Sequence, residues 1–421
     1  MTDQRSRIWW DWAGVGLLVA TATVLLASPA FPSEDGPVHL YYVDILRGLL
    51  SQSGPYPGYF QLKSLVTPYA LHYYSLLGLE MVFSPLVSEK LLLCAYIFAF
   101  GLGFRYLVEA VSGERHNPWS LVAIPFCMNL LVYMGFVNYC FGITLTLWLT
   151  GLWIRGSAAW TRRRVAVLFA VFLLLLLTHP IPVAVFLLFA GLHYAMEWMQ
   201  PRAAGQKAPW LPGVLIVAMG ATAAAWIGMF VGGADTGPSL PSHLSSSGPV
   251  AVLSGLVSQH AVSPIGLSWY RSCLGLLVGL AGIVLARSPW KQDGRWRSAA
   301  IAPMGTAAVC FVLYAVVPPQ INDTWFFAER FPIFGVLFVI VGAAALAPDW
   351  EWSRTAGGLA VLVTLVVAGG QWTAVSQIGE RIRPALEAPV APAGSVGLIL
   401  GLSKGYPSGL SFDPYMWAGV H

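Results

Sequence analysis

Charge is what this chain has least of: Asp, Glu, Lys and Arg make up 10% of its 421 residues, against about a quarter in an average soluble domain. With 57% hydrophobic residues and a mean hydropathy of +0.68, it cannot cover a globular surface with polar groups. Disorder, a collagen-like repeat and a coiled coil are excluded, and a polytopic membrane protein is left. Cysteine is scarce as well. Cys94, Cys127, Cys140, Cys273 and Cys310 all lie in apolar stretches, which excludes a disulfide framework and any metal-type spacing. No Walker or dinucleotide loop is present, no repeat recurs at a fixed period, and no inverted halves carry matched broken helices. The 23 basic residues leave a net charge of only +4 and form no patch, so nucleic acid is not an expected partner.

What is present is a series of apolar runs. A helix needs about 20 apolar residues to cross the hydrocarbon core. Candidates fall at 8–30, 66–84, 88–111, 118–134, 138–155, 164–179, 181–198, 211–231, 268–287, 298–317, 331–347 and 354–373. Arg5 and Arg7 before the first run resemble a signal peptide, but the run is long enough to be an uncleaved first helix. Lys and Arg gather on the cytoplasmic side, which puts Arg162-Arg163-Arg164, Arg202 with Lys207, 287–297 and Arg354 inside. The amino-terminal half agrees only if one candidate does not cross. The weakest is 66–84, which carries His72, Tyr73, Tyr74, Ser75 and Glu80 and suits the interface. The expected fold is an all-α polytopic membrane protein of about eleven spans in a bacterial inner membrane. Its amino terminus is cytoplasmic and its carboxyl terminus extracytoplasmic. A long first outer loop, about 32–87, carries surface-lying pieces near 37–52 and 66–84. Residues 1–373 form the membrane domain. Residues 374–421, with Pro384, Pro389 and Pro392 before a strand-like run at 395–400, read as an outer segment that docks on the loops or starts a truncated soluble domain.

Polar residues near the outer face are few, so each is informative. Glu34 and Asp35 follow the first span, ahead of Gly36-Pro37, with His39 four residues after Asp35. They read either as caps of a helix at 37–52 or as a general base or divalent-cation ligand at the membrane surface. His179, in Thr178-His179-Pro180-Ile181-Pro182, is an interfacial histidine bonded to backbone freed by the prolines, or a substrate contact. Asn138 and Tyr139 form a second outer corner, a plain turn or part of a site. Glu329 and Arg330 stand at the mouth of a late span, with Asn322-Asp323-Thr324-Trp325 just before them. Arg330 is a snorkelling anchor or a bidentate grip on a lipid phosphate.

This order of features resembles the GT-C superfamily of integral-membrane glycosyltransferases, which includes the protein mannosyltransferases and aminoarabinose transferases. The resemblance covers about 1–373 in topology. Glu34-Asp35 stands where that family has its loop acid. The run Gly54-Pro55-Tyr56-Pro57-Gly58-Tyr59 and Thr67-Pro68-Tyr69 are similar to its Tyr/Pro-rich passage. Pro125 with Met134-Gly135-Phe136-Val137-Asn138-Tyr139, and Glu329-Arg330-Phe331, resemble a corner and a late Arg-Phe step. The resemblance implies sugar transfer from a polyprenyl-phosphate donor, with Asp35 and then Glu34 as the acid. His39, Asn138, Tyr139, His179, Glu329 and Arg330 would contact substrate. A divalent cation, Mg or Mn, is the one cofactor it leaves room for, with Asp35 as ligand. Membrane lipid and a protein docked through the outer loops and tail complete the expected partners. The alternatives are a non-catalytic subunit of the same fold and a transporter or flippase for a lipid-linked substrate. A cytochrome is disfavoured, because of the histidines only His193 sits well inside a span.

Overall fold

The computed structural model describes residues 2–157, 160–200, 210–232, 268–292, 295–318, 326–347 and 350–387. These are almost wholly helical: α1 (Thr2–Thr23), α2 (Gly36–Ser51), α3 (Ala70–Glu80), α4 (Pro85–Ser112), α5 (Val137–Ser157), α6 (Arg162–Leu176), α7 (Pro180–Met199), α8 (Leu211–Gly232), α9 (Ser268–Arg287), α10 (Ser298–Val316), α11 (Phe331–Leu346) and α12 (Trp350–Leu386). A two-residue ladder between Lys291–Gln292 and Arg295–Trp296 is the extended exception. Among the described residues eight helices are long and apolar enough to cross a membrane: α1, α4, α5, α7, α8, α10, α11 and α12. The protein is a polytopic integral membrane protein. Its exposed surface agrees, since Val217 (71%), Met229 (72%) and Leu362 (60%) face outward, an arrangement natural in lipid and a liability in water.

Local chemistry sets the helix ends. Pro85 opens α4 behind Ser84, and Gly113 closes it in the left-handed region, the usual division of labour between proline and glycine. α11 is apolar on every side and buried from Phe331 to Leu346 except at Val339, which is half-buried; this makes it the central helix. It packs against α10, α9 and α4.

Residues 117–135 are all buried but are not one helix. Pro118 and Pro125 break the run into two 3-10 turns and a four-residue helix, Leu130–Tyr133. At one end Pro118 abuts Gly357 and Trp10 lies against the same glycine, while the neighbouring His116 bonds Asp11. At the other end Gly135 touches Asp35. Since α1 leads from Asp11 towards Asp35, the broken segment runs alongside it. Irregular backbone survives at membrane depth only inside protein and with its polar groups satisfied. Here Tyr96 Oη donates to the Cys127 carbonyl at 2.7 Å, Gln371 Nε2 to that of Met128 at 3.0 Å, and Asn129 Nδ2 to that of Phe126 at 3.0 Å. The expected continuous helix at 118–134 is thus corrected to a broken one. Pro118, Pro125 and two Asx caps, Asn117 and Asn129, are the cause.

Two further expectations bear on the loops. Within 66–84 only Ala70–Glu80 is helical, 11 residues or about 16 Å, half the thickness of the hydrocarbon core. A clamp ties it to α2: Arg47 bonds Asp44 and the buried carboxylate of Glu80, and Tyr56 donates to Asp44. The boundary drawn at 373/374 is not a structural break. α12 continues through Leu386, 37 residues in all, because Ile378 and Ile382, four apart, pack on Ala30. The run at 395–400 lies outside the described residues. All five cysteines are free.

Candidate functional site

The site is assembled where the loop after α1 meets the corner before α5. Glu34 N–H donates to the Tyr133 carbonyl at 2.9 Å and Asp35 N–H to that of Met134 at 3.3 Å. The contact needs a glycine. Gly135 has φ +83°, and a Cβ there would lie 2.7 Å from Asp35 Cβ. Asp35 stands at the amino-terminal cap position of α2 and makes no side-chain cap bond.

His39, one turn on, turns away from Asp35. Its Nε2 lies 2.9 Å from the Gly135 carbonyl oxygen and its Nδ1 2.9 Å from Tyr73 Oη. A carbonyl only accepts, so Nε2 carries the proton and Tyr73 donates to Nδ1. His39 thus pairs with Tyr73 and joins α2 to α3. His72 stacks edge-on to His39 at 4.9 Å. Asn138 Oδ1 accepts the His72 backbone N–H at 3.3 Å, and its Nδ2 faces His72 Nδ1 at 3.4 Å. Asn138 is thus no plain turn residue but the link between α5 and α3.

Arg330 closes the other side. It is 8% exposed, so it does not snorkel. Its guanidinium lies 4.8 Å from the centre of the Phe136 ring and 5.9 Å from those of Tyr139 and Phe327, and Tyr139 Oη donates to its carbonyl. Arg330 Nη1 is 2.7 Å from His179 Nε2, while His179 Nδ1 faces the Ile181 N–H at 3.1 Å as the cap of α7. A guanidinium has only donors, and a neutral imidazole has one lone-pair nitrogen, so two donors compete for one acceptor. Arg330 Nε is buried with no hydrogen-bond partner among the described residues. Arg330 Nε and the contested His179 leave N–H groups unmet there, and Glu329 Oε2 is likewise buried with no hydrogen-bond partner among the described residues. The amino terminus of a 20-residue helix beside them itself favours negative charge. Asp35 and Glu329 are among the groups acting electrostatically on Arg330. Asp35 also acts on Tyr73.

The residues singled out in the sequence, Asp35, His39, Asn138, Tyr139, His179, Glu329 and Arg330, thus surround one corner, with Glu34 at its edge. Asn322 to Trp325 lie outside the described residues. Missed were Tyr69, His72 and Tyr73. Tyr69 sits edge-on to His179 at 5.4 Å, and its N–H donates to the Thr178 carbonyl at 2.9 Å. The signal was the crowd of polar aromatics in an otherwise apolar window at 66–84, read as an interface and not as a site wall.

A divalent cation fits this donor set poorly. Among the described residues no group of three or more His, Cys, Asp or Glu side chains could hold a metal, and the charge beside Asp35 is a guanidinium. No protein-family model, curated protein or solved structure matches the chain.

Burial lowers the His39 pKa from 6.5 to about 4, partly offset by the bond to Gly135. Burial, and then His39 itself, hold His72 well below 6.5. Between 6.5 and about 4 the unfolded chain therefore binds more protons than the fold, and stability falls as pH falls through that window. The unfolding midpoint in detergent should be flat above about pH 7 and decline towards pH 4. In His39→Gln the decline should be shallower; an unchanged slope would refute the assignment.

Proposed function

We propose that the protein is a GT-C-like membrane glycosyltransferase that moves a sugar from a polyprenyl-phosphate donor to an acceptor hydroxyl. The observation that carries this reading is the buried Arg330 guanidinium, with its Nε unmet among the described residues and its Nη1 and the Ile181 N–H both turned on His179 at the start of α7, within electrostatic reach of Asp35. A phosphate supplies several acceptor oxygens and negative charge to such a corner. A carboxylate near a phosphate site is what group transfer from a lipid phosphate requires. Asp35 takes the proton of the acceptor hydroxyl. That oxygen bonds the anomeric carbon while the bond from carbon to phosphate oxygen breaks, and the electron pair leaves with the phosphate. Arg330 and the His179 Nε2–H stabilise the departing charge. One displacement inverts the anomeric centre. An accessory subunit would have no use for a buried guanidinium with unspent donors, and the polar groups crowd at one end, not at mid-span as a transporter would need.

Adding the broken segment 118–133, α6 and α9 to the eight long helices gives eleven crossings, with the Asp35 end outside. Tyr59 (83% exposed) lies on the long loop, and Glu114 is exposed between α4 and Pro118. In intact cells Tyr59→Cys should react with an impermeant maleimide and Glu114→Cys only after permeabilisation. The reverse pattern would overturn the orientation.

The function is tested by supplying vesicles that contain the chain with a panel of polyprenyl-phosphate sugars. Release of free polyprenyl phosphate, dependent on the chain, is expected from at least one donor. No release across the panel, with alcohols, sugars and peptides offered as acceptors, counts against it.

A further inference from the structure

A groove of about 220 Å³ opens between α2, α3 and the loop joining them, walled by Tyr42, Ile45, Leu46, Leu49 and Leu62 and ended by Tyr73. Its walls are mostly apolar. Tyr42, Ser64, Thr67 and Tyr74 also bring hydroxyls to its lining, of which Tyr74 is spent on the Leu65 carbonyl and Ser64 on that of Val66. Tyr73 is the lining residue that also belongs to the Asp35 corner, through His39. Because His39 Nε2–H is committed to the Gly135 carbonyl, the Tyr73 proton is committed to His39 Nδ1. The phenolic oxygen then keeps its lone pairs for a donor arriving from the groove.

We propose that this groove seats the acceptor, an amphiphilic alcohol whose apolar body lies along Leu46, Leu49 and Leu62 and whose hydroxyl donates to Tyr73 Oη before Asp35 takes its proton. The inference rests on the transferase reading and adds the acceptor's chemical class. Geometry joins this groove to the corner: Tyr73 bonds His39, His39 bonds the Gly135 carbonyl, and Gly135 packs directly on Asp35. The Tyr73 end of the groove thus adjoins the base. In size the groove falls short of a whole drug-sized pocket, usually about 300–1,000 Å³. It therefore takes one segment of the acceptor, and the remainder of that molecule continues towards the bilayer past Leu62, which is 39% exposed.

The test uses the full chain in nanodiscs with Leu62→Cys, its maleimide labelling rate read by mass spectrometry. The probes are farnesol and farnesyl methyl ether, which share the apolar body and differ in the hydrogen-bond donor. Farnesol should protect the cysteine at about tenfold lower concentration than the ether, the worth of one hydrogen bond. Tyr73→Phe should make the two probes equal. Leu49→Trp, which fills the groove without touching the hydrogen bonds, should abolish protection by both, and it keeps the test sound should Tyr73→Phe fold badly. Equal protection by both probes in the parent would mean that a lipid chain fills the groove, and would overturn the proposal. So would no protection by either. Binding of polyprenyl phosphate, measured separately, reports on the Arg330 corner, so the two readings fail independently.

Discussion

Asp35→Asn should lower sugar transfer by about 10²–10⁴-fold, the usual contribution of a general base, while leaving the fold intact. The substitution is nearly isosteric. Asp35 makes no side-chain cap bond to α2, and the loop is held by backbone bonds to Tyr133 and Met134 that asparagine retains. Single-turnover transfer, compared with the unfolding midpoint of the same samples, checks both halves. If the Asp35→Asn protein transferred at the parent rate, the base assignment would fail. Glu34→Gln should have a much smaller effect, because the bond of Glu34 to Tyr133 is made by its backbone N–H.

Arg330→Met separates binding from stability in an unusual way. Hydrogen bonds to charged groups are worth about 1.5–3 kcal/mol, so losing the guanidinium should weaken polyprenyl-phosphate binding by roughly 10–150-fold. Yet the guanidinium is buried, and its Nε has no hydrogen-bond partner among the described residues. Taking such a charge out of water costs several kcal/mol. Methionine fits the space among Phe136, Tyr139 and Phe327 and removes that cost. The variant should therefore unfold at the same or a higher temperature while losing lipid phosphate. A destabilised protein with unchanged affinity would mean that Arg330 is a structural residue. Such an outcome is what a site residue should not give, since functional sites carry local cost that the rest of the fold bears.

How much of this could be read in the sequence follows from what makes a residue conspicuous. Asp35, Asn138, His179 and Arg330 stood out because polar residues are rare in an apolar chain and their membrane level follows from the spans. Their convergence rests on contacts 151 residues apart, as between His179 and Arg330, which no local pattern encodes. The pairing of His39 with Tyr73 spans 34 residues, which no local pattern encodes. At 118–134 the apolar run was legible; its breaks come from Pro118, Pro125, Asn117 and Asn129, but whether they survive at membrane depth depends on distant donors from Tyr96 and Gln371. α12 outlasts its apolar run because a helix past the membrane needs only one packed stripe, here Ile378 and Ile382. Hydropathy does not report that stripe.

The most direct measurement is a density map of the full chain with a polyprenyl phosphate bound. The phosphate should lie between the Arg330 guanidinium and the start of α7, with Asp35 facing the same space and the prenyl chain leaving sideways into the bilayer. A phosphate bound elsewhere, or a map in which Asp35 and Arg330 open into separate cavities, would contradict the shared site.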